Sequence, residues 1–270
     1  MRELTLPAPL LLLPGLGADG RLFAPQRDAL GEAVQTPGWI APASPNEDLC
    51  RYAERWAASI NETVAGFDKD RPWFLGGMSM GGMIALEMLP FLDRPPAGVF
   101  LISSCRATLA LPRLIRLGSV FTGRMPAGLL QKIIRWMAVP FAVRDGADDD
   151  VARRLVEMAK ASDPEHLQWA IGAVAEWTYP GPRPPLGDAP APPVFQAHGR
   201  HDWLIPLRED DCDLVIDRGR HLINASHAKT VNRWLYDHVT RLCGIDESAE
   251  PRVEDPDDTV RRRPELAARF

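Results

Sequence analysis

The stretch FLGGMSMGGMIALEML, Phe74–Leu89, sets a single serine between two pairs of glycines. An apolar run leads into it and a helix-like run leads out, so Gly77-Met78-Ser79-Met80-Gly81 is a G-x-S-x-G at the point where a strand meets a helix. A turn that sharp drives the serine into an unfavourable backbone conformation, and the crowding around it demands residues without side chains. The strain lifts the hydroxyl clear of the strand end, and a helix beginning at Met80 aims its N-terminal N–H groups toward it. With 21 glycines and 9 serines in 270 residues, chance alone produces the pattern about once in twenty such chains. Its position at a strand–helix junction therefore carries more weight than the pattern. The bland alternative is a glycine-rich turn with a buried, capping serine.

Outward from this turn, short apolar runs alternate with longer helix-period runs. Pro9–Gly15, Pro72–Gly77, Ala97–Cys105, Pro193–Gly199 and Cys212–Asp217 read as strands, and Asp48–Phe67, Met80–Leu92 and Ser226–Leu242 as helices. Strands this apolar, separated by helices, predict an α/β fold: a mostly parallel sheet with helices on both faces. Residues 106–180 break the alternation with four helical runs, 111–121, 127–137, 148–161 and 163–177. Acids at Asp148–Asp150, and Asp163 followed by Pro164, are good helix starts. The expected division is a core of residues 1–105 and 190–243, a helical insertion at 106–180, a proline-rich linker at 181–193, and a polar, disordered tail at 244–270.

Composition narrows the function. The net charge is −5 with no basic stripe, which argues against nucleic acid as a partner. No apolar run approaches the ~20 residues of a membrane span, and the N-terminal apolar run reads as a buried strand rather than a secretion signal. Cys50, Cys105, Cys212 and Cys243 are scattered without metal-like spacing, which fits a reducing cytoplasm. His198, His201 and Asp202 share one loop, but three ligands from one loop make a weak metal site, and the bland reading, His198 structural and His201 facing solvent, outweighs it. The expectation is a small-molecule substrate, with no metal, cofactor, nucleic acid or membrane; the oligomeric state is left open.

A serine hydroxyl near neutral pH needs a base to take its proton and a group to orient that base. Asp202, in HGRHDWLIP, follows one strand, and His221, in DRGRHLIN, follows the next. Asp202 is preferred over an acid after the Ala97–Cys105 strand, whose tip carries only serines. His221 is preferred over His227, which falls at the start of a helix. These residues, in the order Ser79, Asp202, His221, resemble the α/β-hydrolase fold family over about residues 8–242. The resemblance implies that Ser79 is the nucleophile, His221 the general base and acid, and Asp202 its orienting carboxylate. It also implies that the insertion is a helical cap over the site, and that an oxyanion hole is formed by the N–H groups of Met80 and Leu16, with Gly17 the neighbouring alternative to Leu16. Pro14-Gly15-Leu16 stands where the family usually carries His-Gly-x, a departure of little cost because the hole uses backbone N–H groups. A larger departure is the 19-residue separation of Asp202 and His221, too short for the usual intervening helix, which puts the loop geometry in question.

The expected function is a serine hydrolase acting on an ester, or a thioester or amide, of a small to medium apolar acid through an acyl-enzyme on Ser79. Trp136, Trp169, Trp177 and Trp203 are the expected pocket side chains, with Trp203 also placed to shield the His–Asp pair from water. The acidic run Asp145–Asp150 reads as a solvated loop and helix cap. By resemblance, a serine in place of aspartate argues against dehalogenase and epoxide hydrolase chemistry. Acyl transfer, perhydrolysis, carbon–carbon cleavage and non-catalytic ligand binding stay open as alternatives.

Overall fold

A run of four leucines has no polar face, so a strand built from it has to be covered on both sides. In the computed structural model, which describes residues 4–106, 125–179, 181, 190–245 and the backbone of 260–262, that strand is β1 (Leu10–Leu13), with every residue at most 1% exposed. Its pleat sends Leu11 and Leu13 into one apolar core and Leu10 and Leu12 into a second on the opposite face.

In chain order there follow α1 (Ala24–Leu30), β2 (Val34–Gln35), α2 (Leu49–Ala65), β3 (Phe74–Met78), α3 (Met80–Met88) and β4 (Val99–Ile102). The insertion supplies α4 (Ala127–Arg144), α5 (Asp149–Ala161) and α6 (Pro164–Glu176). The chain then returns through β5 (Val194–Gly199), β6 (Leu214–Ile216), α7 (Ile223–Ser226), α8 (Ala228–Leu242) and β7 (Val260–Arg262). The strands lie in the order β2-β1-β3-β4-β5-β6-β7; β1 to β6 pair in parallel and β7 runs antiparallel to β6. This is the expected α/β architecture. The order reverses between β1 and β3, so the loops leaving their carboxyl ends part and open a crevice there.

Helix identity follows burial. Every residue of α3 is buried, which explains its all-round apolar sequence. By contrast α2 is amphipathic and buries Tyr52, Trp56, Ile60 and Val64. Asp48 caps α2 by accepting from Arg51 N at 2.8 Å, and Asp148 and Asp163 cap α5 and α6 in the same way. Aromatic side chains dock the insertion on the core. Trp169 packs 4.3 Å from Tyr52 and donates to Glu47 O, while Trp177 donates to Glu87 Oε1.

Two details differ from the sequence reading. Helix α1 and the two-residue edge strand β2 carry too short a pattern to be foreseen. Strand β7 arises inside the tail expected to be disordered, because the edge of β6 offers it unpaired backbone groups. The first expected cap helix, 111–121, lies outside the described residues, as does most of the proline-rich linker. Among the described residues, no helix is long and apolar enough to cross a membrane.

Candidate active site

Ser79 sits between β3 and α3 at φ 54° and ψ −122°. This left-handed conformation is costly for a residue with a side chain and marks stored strain. The surroundings hold it there. Ser79 N donates to Ile102 O at 3.0 Å, and Ser79 O accepts from Gly82 N at 3.0 Å and Ser104 Oγ at 2.7 Å. The glycines are required by contact: a Cβ on Gly81 would collide with the Leu13 and Pro14 carbonyls, and one on Gly77 with the Gly81–Gly82 backbone. Gly81→Ala is therefore expected to lower the melting temperature by about 5 °C or more, as overpacking against backbone does. A thermal scan showing wild-type stability would refute this account of the turn.

Asp202 follows β5, and its carboxylate takes four hydrogen bonds or close polar contacts. Oδ1 accepts from Leu204 N at 2.9 Å and Ile205 N at 3.0 Å. Oδ2 lies 2.8 Å from His221 Nδ1 and 3.3 Å from His198 Nε2. Burial opposes its charge, but the His221 charge and the hydrogen bonds from His198 and His221 outweigh burial and hold it well below the usual carboxylate range. With Nδ1 of His221 facing this carboxylate, a neutral ring carries its free lone pair on Nε2.

The short link between Asp202 and His221 does not separate them. Besides strand β6 it contains a three-residue helical turn, Glu209–Asp211, and the two loops bond directly to one another. Arg200 N donates to Ile216 O and His201 N to Gly219 O, both at 2.9 Å.

Ser79 and His221 line one cavity of about 260 Å³. Among the described residues they are the only polar side chains in its lining; the rest include Leu16, Met80 and Met83 of the core and Phe141, Leu155, Ile171 and Val174 of the helical insertion. Leu16 and Met80 lie at its wall and Gly17 does not. Among the described residues, no hydrogen bond joins Ser79 Oγ to His221; such bonds often tighten only when substrate binds.

The four tryptophans expected in the pocket do not line it. Trp136 points outward and is 75% exposed. The indole N–H groups of Trp169 and Trp177 are drawn to Glu47 and Glu87, which commits both rings to docking the insertion on the core. Trp203 packs 5.9 Å from Phe141, the residue that does reach the cavity and that lies 6.2 Å from His221. Phe141 stands out in the insertion by its bulk, but spacing along a helix does not reveal which apolar residue turns inward, so Leu155, Ile171 and Val174 were not distinguishable from their neighbours.

The bland reading of the loop histidines, His198 structural and His201 facing solvent, holds, whereas the reading of Asp145 does not. His198 is fully buried, with Nε2 2.9 Å from Ile205 O and 3.3 Å from Asp202; it braces the acid, while His201 is exposed. Asp145, expected in a solvated run, is 3% exposed. Among the described residues, no cluster of three metal-ligating side chains is present.

A parallel sheet covered on both faces, with a strained serine at its switch point and an Asp–His pair at neighbouring strand tips, defines the class of the molecule. Residues 10–234 match the alpha/beta hydrolase family, and the chain belongs to it. The fold is shared with an esterase from Thermogutta terrifontis at 20% identity, over 88% of this chain and 92% of that one, with a TM-score of 0.64. It is shared likewise with an esterase from Exiguobacterium antarcticum (16%, 87% and 93%, TM-score 0.65) and the enol-lactonase from Burkholderia xenovorans LB400 (18%, 86% and 91%, TM-score 0.62). No curated protein matches the chain.

Proposed function

We propose that the protein is a serine hydrolase that cleaves esters of small to medium, uncharged apolar acids through an acyl-enzyme on Ser79. The observation that carries this reading is the His221–Asp202 bond at the edge of an apolar cavity whose only polar side chains, among the described residues, are Ser79 and His221. In this mechanism His221 Nε2 takes the Ser79 proton as Oγ attacks the acyl carbonyl. The N–H groups of Leu16 and Met80 hold the oxyanion; one such donor is worth ~3 kcal/mol. His221 then protonates the leaving alkoxide, and water repeats the sequence to release the acid. Asp202 stays ionised and fixes the ring. The esterases and lactonase that share the fold act on the same bond type.

A fluorophosphonate probe is expected to label the wild-type protein and not Ser79→Ala; absence of labelling, or equal labelling of both, sinks the hydrolase reading. Across p-nitrophenyl esters the rate should peak at short to medium acyl length. A hemisuccinate ester should turn over at least tenfold more slowly than the butyrate, because no cation among the described residues lines the cavity to offset a buried carboxylate. Equal rates for the two would count against an acyl pocket walled by the cap.

A further inference from the structure

Outside the Ser79–Asp202–His221 set, the described part of the molecule holds one buried carboxylate beside the imidazole. Asp145 is the C-terminal cap residue of α4, and its Oδ2 accepts from Leu222 N, the amide directly after His221. Its Oδ1 is buried without a hydrogen-bond partner among the described residues. Burial pushes its carboxyl above the usual range, against the Leu222 N–H, the His221 charge and the Trp203 indole, while the Asp202 charge pushes the same way as burial. Arg144, its neighbour in sequence, is occupied above the Trp203 ring at 4.4 Å.

A carboxylate this deeply buried is expensive to keep. A plain helix end would be served as well by a small residue or by an acid facing water. The same turn of α4 also sets Phe141 against both His221 and Trp203. One turn of the cap therefore grips the two loops that carry the acid and the base, from a position 77 residues away in the chain.

We propose that Asp145 is a positioning residue: the end of α4 clamps the His221 loop through Leu222 N–H, and the Asp145 charge supports the imidazolium that forms during proton transfer. The proposal rests on the reading of His221 as the general base. It makes assembly of the proton-transfer pair depend on the cap being seated, so the cap does more than wall the cavity. The charged or titratable groups facing His221 are then Asp202, itself braced by His198, and Asp145.

The test compares Asp145→Ala and Asp145→Asn with wild type in the full-length protein, measuring fluorophosphonate capture of Ser79, kcat and KM on p-nitrophenyl butyrate across pH, and thermal midpoint. Asp145 does not line the cavity, so KM should stay within about twofold. Asp145→Ala should lower kcat and capture rate by about tenfold or more, the scale of a misplaced catalytic group. Asp145→Asn keeps an acceptor for Leu222 N–H and should restore most of that loss. It should still move the acid limb of the kcat profile toward lower pH, by on the order of half a unit, because a charge favouring imidazolium is gone. Wild-type capture and an unshifted limb in folded variants would overturn the clamp and leave the hydrolase reading standing. Failure of the wild type itself to react would overturn both. If Asp145→Ala does not fold, Asp145→Asn decides alone: a shifted limb supports the proposal and an unshifted one overturns it.

Discussion

Ser79→Ala is expected to lower kcat on p-nitrophenyl butyrate by roughly 10⁶-fold, and His221→Ala by as much, with the double variant no slower than either. The non-additivity is the informative part. Once the hydroxyl is gone the imidazole has no proton to take, and once the imidazole is gone the hydroxyl is no longer activated, so the two side chains fail as one unit. KM should change little, because the cavity that binds the acyl group is built from Gly15, Leu16, Met83, Phe141 and other apolar groups that both substitutions leave in place. The Ser79→Ala loss should not trace to misfolding: removing Oγ from a strained serine at φ 54° deletes no hydrogen bond of the turn, which is held by the Ser79 backbone. A decrease of less than about a hundredfold in Ser79→Ala would show that the reaction bypasses this residue.

The second large effect is at the acid. Asp202→Asn should cost about 10⁴ in kcat, because an amide in place of Oδ2 presents a donor to His221 Nδ1. The ring then takes the other tautomer and turns an N–H, not a lone pair, toward Ser79. His198 cannot compensate by changing its own tautomer, since its Nε2 also faces Ile205 O at 2.9 Å. The same substitution should alter the pH dependence of stability. The folded-state pKa of Asp202 is depressed below the unfolded value, so its ionised form contributes stability above about pH 4 that disappears as pH falls through the folded value. Unfolding free energy measured below pH 4 should therefore fall less steeply in Asp202→Asn than in wild type. Parallel slopes would mean that the carboxylate is not held ionised by its partners.

The residues of this site differ in how far they could be read from the chain. Ser79 was legible because G-x-S-x-G is a local signal: the glycines that make room for the turn lie within three residues of the serine. Asp202 and His221 were legible because each follows an apolar run and a glycine, and a parallel sheet brings consecutive strand tips to one edge. The doubt raised by their short connection was settled by two inter-loop backbone bonds, which leave no mark in side-chain composition. The pocket was not legible. Trp136, Trp169, Trp177 and Trp203 stood out by size, yet an indole N–H seeks an acceptor when buried, and Glu47 and Glu87 lay on the core to receive two of them.

Asp145 marks the boundary most sharply. In Asp145–Asp150 the sequence shows a run of like charge, and most of that run is exposed. Which member turns inward depends on where the last turn of α4 lands, and that depends on the seating of the cap. The chain alone determined the parallel sheet, the strained serine and the order of the proton-transfer residues, because strand apolarity, glycine crowding and helix starts act between near neighbours. The tertiary structure decided which cap side chains face the cavity, which histidine braces Asp202 and which acid reaches Leu222 N–H. Those choices are made by packing between segments as far apart as 77 residues, where no local preference operates.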